Sequence, residues 1–128
     1  MTFRQTIQRI LKSNNVDMTF EMLQVMHCLW KEQGVSQQSL AEKTAKDKAC
    51  LTNLINNLEK KGWVIRQEDC NDRRNKLIYL TPEGEKVAAK IKSLLKDMYT
   101  QVGQQMNTKH MEACMKHLSK LNEIFDQI

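Results

Sequence analysis

The spacing of apolar residues changes twice in the middle of this chain, and that double change restricts its fold more than any other feature. Leu51, Leu54, Ile55 and Leu58 follow the i, i+3, i+4, i+7 pattern of a helix with one core-facing stripe. Gly62 stops that pattern. Residues 63–68 and 76–80 are strand candidates, separated by the polar, turn-forming residues 69–75. Two such runs around a polar turn predict a β-hairpin with a long loop. Thr81, Pro82 and Glu83 then open another helix. They supply a capping hydroxyl, a proline where the first helical turn tolerates it, and an acid for the positive end of the helix dipole.

Helices flank this centre on both sides. Phe3, Ile7, Ile10 and Leu11 predict a first helix over residues 2–13, broken by Asn14 and Asn15. Thr19 caps a second, carrying Leu23, Met26, Leu29 and Trp30 and stopped by Gly34. Ser36 caps a short third helix reaching about Thr44, and Asp47 caps the fourth. Lys60 and Lys61 suit the negative end of that fourth helix. Downstream, Val87, Ile91, Leu94, Leu95, Met98 and Val102 share one face to about Gln105. After Asn107 and Thr108, a last stripe runs through Met111, Met115, Leu118, Leu121, Phe125 and Ile128. The predicted fold is mainly α with a small β-hairpin, a winged helix-turn-helix between flanking helices. Aromatics at 5% and eight methionines also favour helix packing over a β-sandwich.

The composition narrows the function classes. A net charge of +5 favours polyanionic partners without choosing between DNA, RNA and acidic membranes. No apolar run approaches the roughly 20 residues of a bilayer span, and residues 1–12 lack a signal-peptide core. A cytoplasmic protein without membrane association is therefore expected. Cys28, Cys50, Cys70 and Cys114 are scattered with no C-x-x-C pair, so free thiols are expected. No P-loop, G-x-S-x-G or H-E-x-x-H motif occurs, so neither an enzyme nor a cofactor is expected.

A helical wheel of the fourth helix places Ala49, Thr52, Asn53, Asn56 and Lys60 opposite its apolar stripe. Asparagine pairs bidentately with adenine, threonine contacts bases or a thymine methyl, and lysine contacts phosphate. The small Ala49 allows close approach to a groove. A solvated helix face is the competing reading of the same residues. The hairpin tip adds Arg73 and Arg74, cations suited to a narrow minor groove. Asp72 beside them reads as a brace for the wing, pairing with an arginine.

The run from Asp47 through Leu58-Glu59-Lys60-Lys61-Gly62-Trp63, then Asp72-Arg73-Arg74, then Leu80-Thr81-Pro82-Glu83-Gly84, resembles the MarR (multiple antibiotic resistance regulator) family. That family's pattern is a recognition helix ending in L-E-x-x-G, a wing with D-R-R and a strand ending in L-T-x-x-G. The resemblance covers residues 36–84. It implies a homodimeric regulator, usually a repressor, on a pseudo-palindromic operator in double-stranded DNA. Recognition helices would enter major grooves and wings the flanking minor grooves. The DNA-binding residues it implies are Ser36, Gln37, Lys46, Lys48, Ala49, Thr52, Asn53, Asn56, Asn57, Lys60, Arg73, Arg74 and Lys76. Asn53 departs from the pattern, because many members carry a basic residue there.

The resemblance also implies an organisation. Residues 1–18 would be a dimerisation helix, 19–82 the DNA-binding lobe, and 83–128 further dimerisation helices in one intertwined domain. Ile7, Ile10, Leu11, Leu94, Met98, Leu118, Leu121 and Phe125 would supply the dimer faces, with a monomeric core as the alternative. The family often releases DNA on binding small aromatic or phenolic effectors. Met22, Met26, His27 and Trp30 can line such a pocket, although core packing is the preferred reading. Two other functions compete: a winged-helix protein–protein module, and a thiol redox sensor through Cys50 or Cys70. His110, Cys114 and His117 share one helix face and are metal-ligand types. Their preferred reading is a polar flank of the apolar stripe, with no metal.

Overall fold

The computed structural model describes residues 3–72 and 74–128. Its elements are α1 (Phe3–Ser13), α2 (Phe20–Lys31), β1 (Val35–Ser36), α3 (Gln37–Thr44), α4 (Lys48–Lys60), β2 (Val64–Glu68), β3 (Lys76–Leu80), α5 (Pro82–Gln105) and α6 (Thr108–Asp126). Short-range chemistry sets most of their ends. Thr19 Oγ1 accepts the Met22 amide at 3.2 Å, Ser36 Oγ the Ser39 amide at 3.0 Å, and an Asp47 carboxylate oxygen the Cys50 amide at 2.7 Å. Each satisfies an amide that the first helical turn leaves without a partner. Asp47→Ala is therefore expected to cost about 1 kcal/mol, read as a lower midpoint in a denaturant titration with an unchanged slope.

Glycine closes α4. Gly62 takes φ 77°, its amide bonds the Glu59 carbonyl at 2.9 Å, and the Trp63 amide bonds the Leu58 carbonyl at 3.1 Å. This pair of bonds is the Schellman motif, which turns the chain sharply from helix to strand. It explains why a glycine stands at position 62, where φ is positive.

The sheet has three antiparallel strands in the order β1-β3-β2. In the hairpin Val64 faces Leu80, Arg66 faces Ile78, and Glu68 faces Lys76. The strand β1 is an addition to the predicted fold. Val35 pairs with Ile78, and the Gly34 amide bonds the Ile78 carbonyl at 2.9 Å. The base of the wing is thus tied to the start of the helix-turn-helix.

The chain divides into two compact units, one ending at Lys92 and one running from Ser93 to Ile128. The core of the larger unit is built from Val25, Met26, Leu29, Leu40, Leu51, Ile55, Leu58, Ile78 and Ile91, all 0% exposed. Ile7 and Leu11 are also buried there, at 1% exposure. Within one chain their side chains therefore pack into its own core. Ile10 stays half-buried. Met22 and Met26 are core residues as well, while His27 is exposed beside Trp30.

The entry to α5 is equally tight. Thr81 Oγ1 donates to the Gly62 carbonyl at 2.5 Å and accepts the Gly84 amide at 3.0 Å, while the Thr81 amide bonds the Trp63 carbonyl at 3.0 Å. Gly84 is buried against that same turn. The L-T-x-x-G run is therefore a clamp between the start of α5 and the end of α4.

In the smaller unit, α6 has no buried residue. Leu118, Leu121 and Phe125 are 54%, 46% and 62% exposed, and Leu94 and Met98 on α5 are half-buried. No helix among the described residues is long and apolar enough to cross a membrane.

Candidate nucleic-acid interface

The helix-turn-helix is α3, the turn through Ala45, Lys46 and Asp47, and α4. Ala45 adopts the left-handed conformation at φ 53°, ψ 41°, which ends α3 and redirects the chain. Leu51, Ile55 and Leu58 then anchor α4 by one face. The opposite face is open: Lys48, Ala49, Asn53, Asn56, Asn57 and Lys60 are all exposed, and none of them is an acid. Leu54, expected on the apolar stripe, is only half-buried.

Beside α4 stands the wing. Its loop is held by main-chain bonds from Asp69 to Asn75 at 3.1 Å and from Asn75 to Asp72 at 3.0 Å. The Asp72 carboxylate accepts the Arg74 amide at 3.0 Å. Asp72 thus braces the backbone at Arg74, a contact the ion-pair expectation did not include. Arg74 itself is exposed, and Arg73 lies outside the described residues. A cleft of about 500 Å³ separates the wing from α3 and the start of α4, lined among others by Gln37, Gln38, Lys48, Arg74, Asn75 and Lys76. The cations are not equivalent. Lys76 Nζ is 3.0 Å from a Glu68 carboxylate oxygen across the hairpin, whereas Lys48 and Arg74 form no ion pair among the described residues.

Several predicted contact residues have a second occupation. The Ser36 hydroxyl caps α3. Gln37 Nε2 donates to Thr52 Oγ1 at 2.7 Å, and Thr52 Oγ1 donates to the Lys48 carbonyl at 2.8 Å. The Thr52 hydroxyl therefore serves the protein first, and the open amides of α4 are those of Asn53, Asn56 and Asn57. Lys46 is half-buried in the turn.

Sequence reasoning missed Arg66 and Glu59. Their side chains form an ion pair from β2 to the last turn of α4. The signal was present in the glutamate of L-E-x-x-G, but the partner depends on strand register and so is not visible in local spacing.

Other candidates are not assembled into sites. Cys50, Cys70 and Cys114 are exposed and Cys28 is half-buried, all as free thiols. His110, Cys114 and His117 are exposed on α6, and no group of three His, Cys, Asp or Glu side chains among the described residues is placed to share a metal. Away from this face His27, though largely open to solvent, is held below the usual histidine value by the burial it does have, then by Lys31 and Lys92.

The MarR family model matches residues 19–76, which contain the whole helix-turn-helix and most of the wing. Over that lobe, a little under half of its length, the chain is similar to the MarR family. Among curated MarR-type relatives, the transcriptional regulator HosA of Escherichia coli O127:H6 is 36% identical over 73 residues, covering 57% of this chain and 54% of HosA. The regulator SarZ of Staphylococcus haemolyticus is 32% identical over 78 residues, covering 61% of this chain and 53% of SarZ. The chain thus spans about half the length of the curated relatives it matches. A crystal structure of the S. aureus MepR–DNA complex superposes on this fold with a TM-score of 0.84 at 26% identity, covering 95% of this chain and 88% of MepR. The lobe described here is therefore similar in fold to the winged helix-turn-helix of MepR.

Proposed function

We propose that this protein is a transcription regulator that binds double-stranded DNA sequence-specifically, with no enzymatic activity of its own. One observation carries the reading: the acid-free, amide-bearing face of α4 opens beside the cleft that Lys48 of α4 and Arg74 of the wing border. Asn53, Asn56 and Asn57 supply hydrogen-bonding groups for base edges, Ala49 permits close approach, and Lys48, Lys60, Arg74 and Lys76 attract phosphates. Arg73, next to Arg74 in the sequence, has the same charge. The likeness to MepR, crystallised with DNA, supports this assignment. The acid-free face gives no support to a protein–protein module.

The regulator acts as a homodimer on a pseudo-palindromic operator, most simply as a repressor. The exposed stripe Leu118, Leu121 and Phe125, with the half-buried Leu94 and Met98, supplies apolar surface for a partner copy. Release by a small aromatic or phenolic effector completes the cycle. Selection of bound fragments from random duplex DNA tests the reading. The expected result is an enriched inverted repeat with half-sites about 10 bp apart, one helical turn or a multiple of it. No enriched motif at moderate salt overturns it.

A further inference from the structure

We propose that Arg66 is a positioning residue of the DNA interface, fixing the wing against α4 and thereby setting how sharply the protein discriminates between sequences. The inference rests on the DNA-binding reading above. Arg66 belongs to β2, one arm of the wing, yet its side chain reaches back to both helices of the helix-turn-helix. Its Nη1 donates to a Glu59 carboxylate oxygen, its Nη2 to the Thr52 carbonyl at 3.4 Å, and its Nε to Gln37 Oε1 at 3.4 Å. Gln37 in turn holds Thr52 Oγ1 at 2.7 Å. One guanidinium thus connects β2, the middle and end of α4, and the start of α3. Its planar fork fixes all these directions at once, which a lysine ammonium does not do.

The charges decide what this strut contributes. Arg66 and Glu59 neutralise each other, so the pair adds no net charge to attract phosphates. Its effect is on geometry, namely where the wing loop stands when α4 lies in a groove. Phosphate attraction tolerates a loose wing, whereas base reading needs helix and wing in register together.

The test compares the wild-type protein, the charge-conserving double variant Arg66→Gln with Glu59→Gln, and Arg66→Lys. Fluorescence anisotropy is measured with the duplex enriched from the random pool and with a scrambled duplex, over a salt series and below each variant's melting temperature. For the double variant, the ratio of the two affinities is expected to fall about tenfold, with scrambled-duplex affinity and salt slope unchanged. Arg66→Lys keeps the charge beside Glu59 but loses the fork. It should give an intermediate ratio, and it carries the test if the double variant does not fold. A ratio unchanged in a folded variant, or both affinities falling in step, overturns the assignment. A wild-type protein that binds both duplexes equally overturns the DNA-binding reading itself, and this assignment with it.

Discussion

Replacing Gly84 by alanine should destabilise the protein by at least about 3 kcal/mol and lower its melting temperature by on the order of 10 °C. The sign runs against helix propensity, because Gly→Ala inside a helix ordinarily stabilises by roughly 0.5–1 kcal/mol. Here a Cβ at Gly84 would stand 1.9 Å from the Trp63 carbonyl oxygen and 2.8 Å from its carbon. Those are backbone atoms, already held by the Thr81 amide at 3.0 Å, so no side chain can swing aside. Either α5 lifts away from the turn or the end of α4 moves, and both break the clamp. Gly103 is the control on the same helix: nothing lies within 4 Å of its Cβ position. Gly103→Ala should raise stability by the ordinary propensity difference. Thermal melts of the two variants check the pair, and a Gly84→Ala protein as stable as wild type would remove the clamp from the account.

Replacing Arg74 by alanine should weaken binding to the enriched duplex about tenfold or more, and make the slope of log affinity against log salt shallower by about 1 per protomer, about 2 for a bound dimer. The reason lies in the charge inventory of the wing. Lys76 shares its charge with Glu68 across the hairpin, while Arg74 is exposed and unpaired among the described residues. The Asp72 carboxylate holds the Arg74 backbone amide and so orients the loop without capturing the guanidinium itself. Anisotropy titrations at several salt concentrations separate this from misfolding, because an unfolded fraction lowers affinity without making the slope shallower. Unchanged affinity and slope would remove Arg74 from the interface.

Much of this fold was legible in the sequence because its punctuation is local. Thr19, Ser36 and Asp47 each act on an amide three residues ahead. Gly62 needs only its own backbone freedom. The strand β1 was not legible, since two residues carry no period and their pairing depends on Ile78, more than forty positions away. Ile7 and Leu11 show a different limit. Periodicity reveals an apolar stripe, but not whether the stripe meets its own chain or a second copy. The exposed face of α4 followed from the wheel, whereas the engagement of Thr52 by Gln37 did not, because it depends on how α3 crosses α4. Arg66 was hidden for the same reason.

The central claim is that α4 and the wing together form a double-stranded DNA interface. Backbone amide chemical shifts of the full chain, followed by NMR during titration with the enriched duplex, test it most directly. The account predicts that the largest changes fall on Ala49, Asn53, Asn56 and Asn57 of α4 and on Arg74 and Asn75 of the wing. Changes confined to α6, or none at all at saturating duplex, would contradict it.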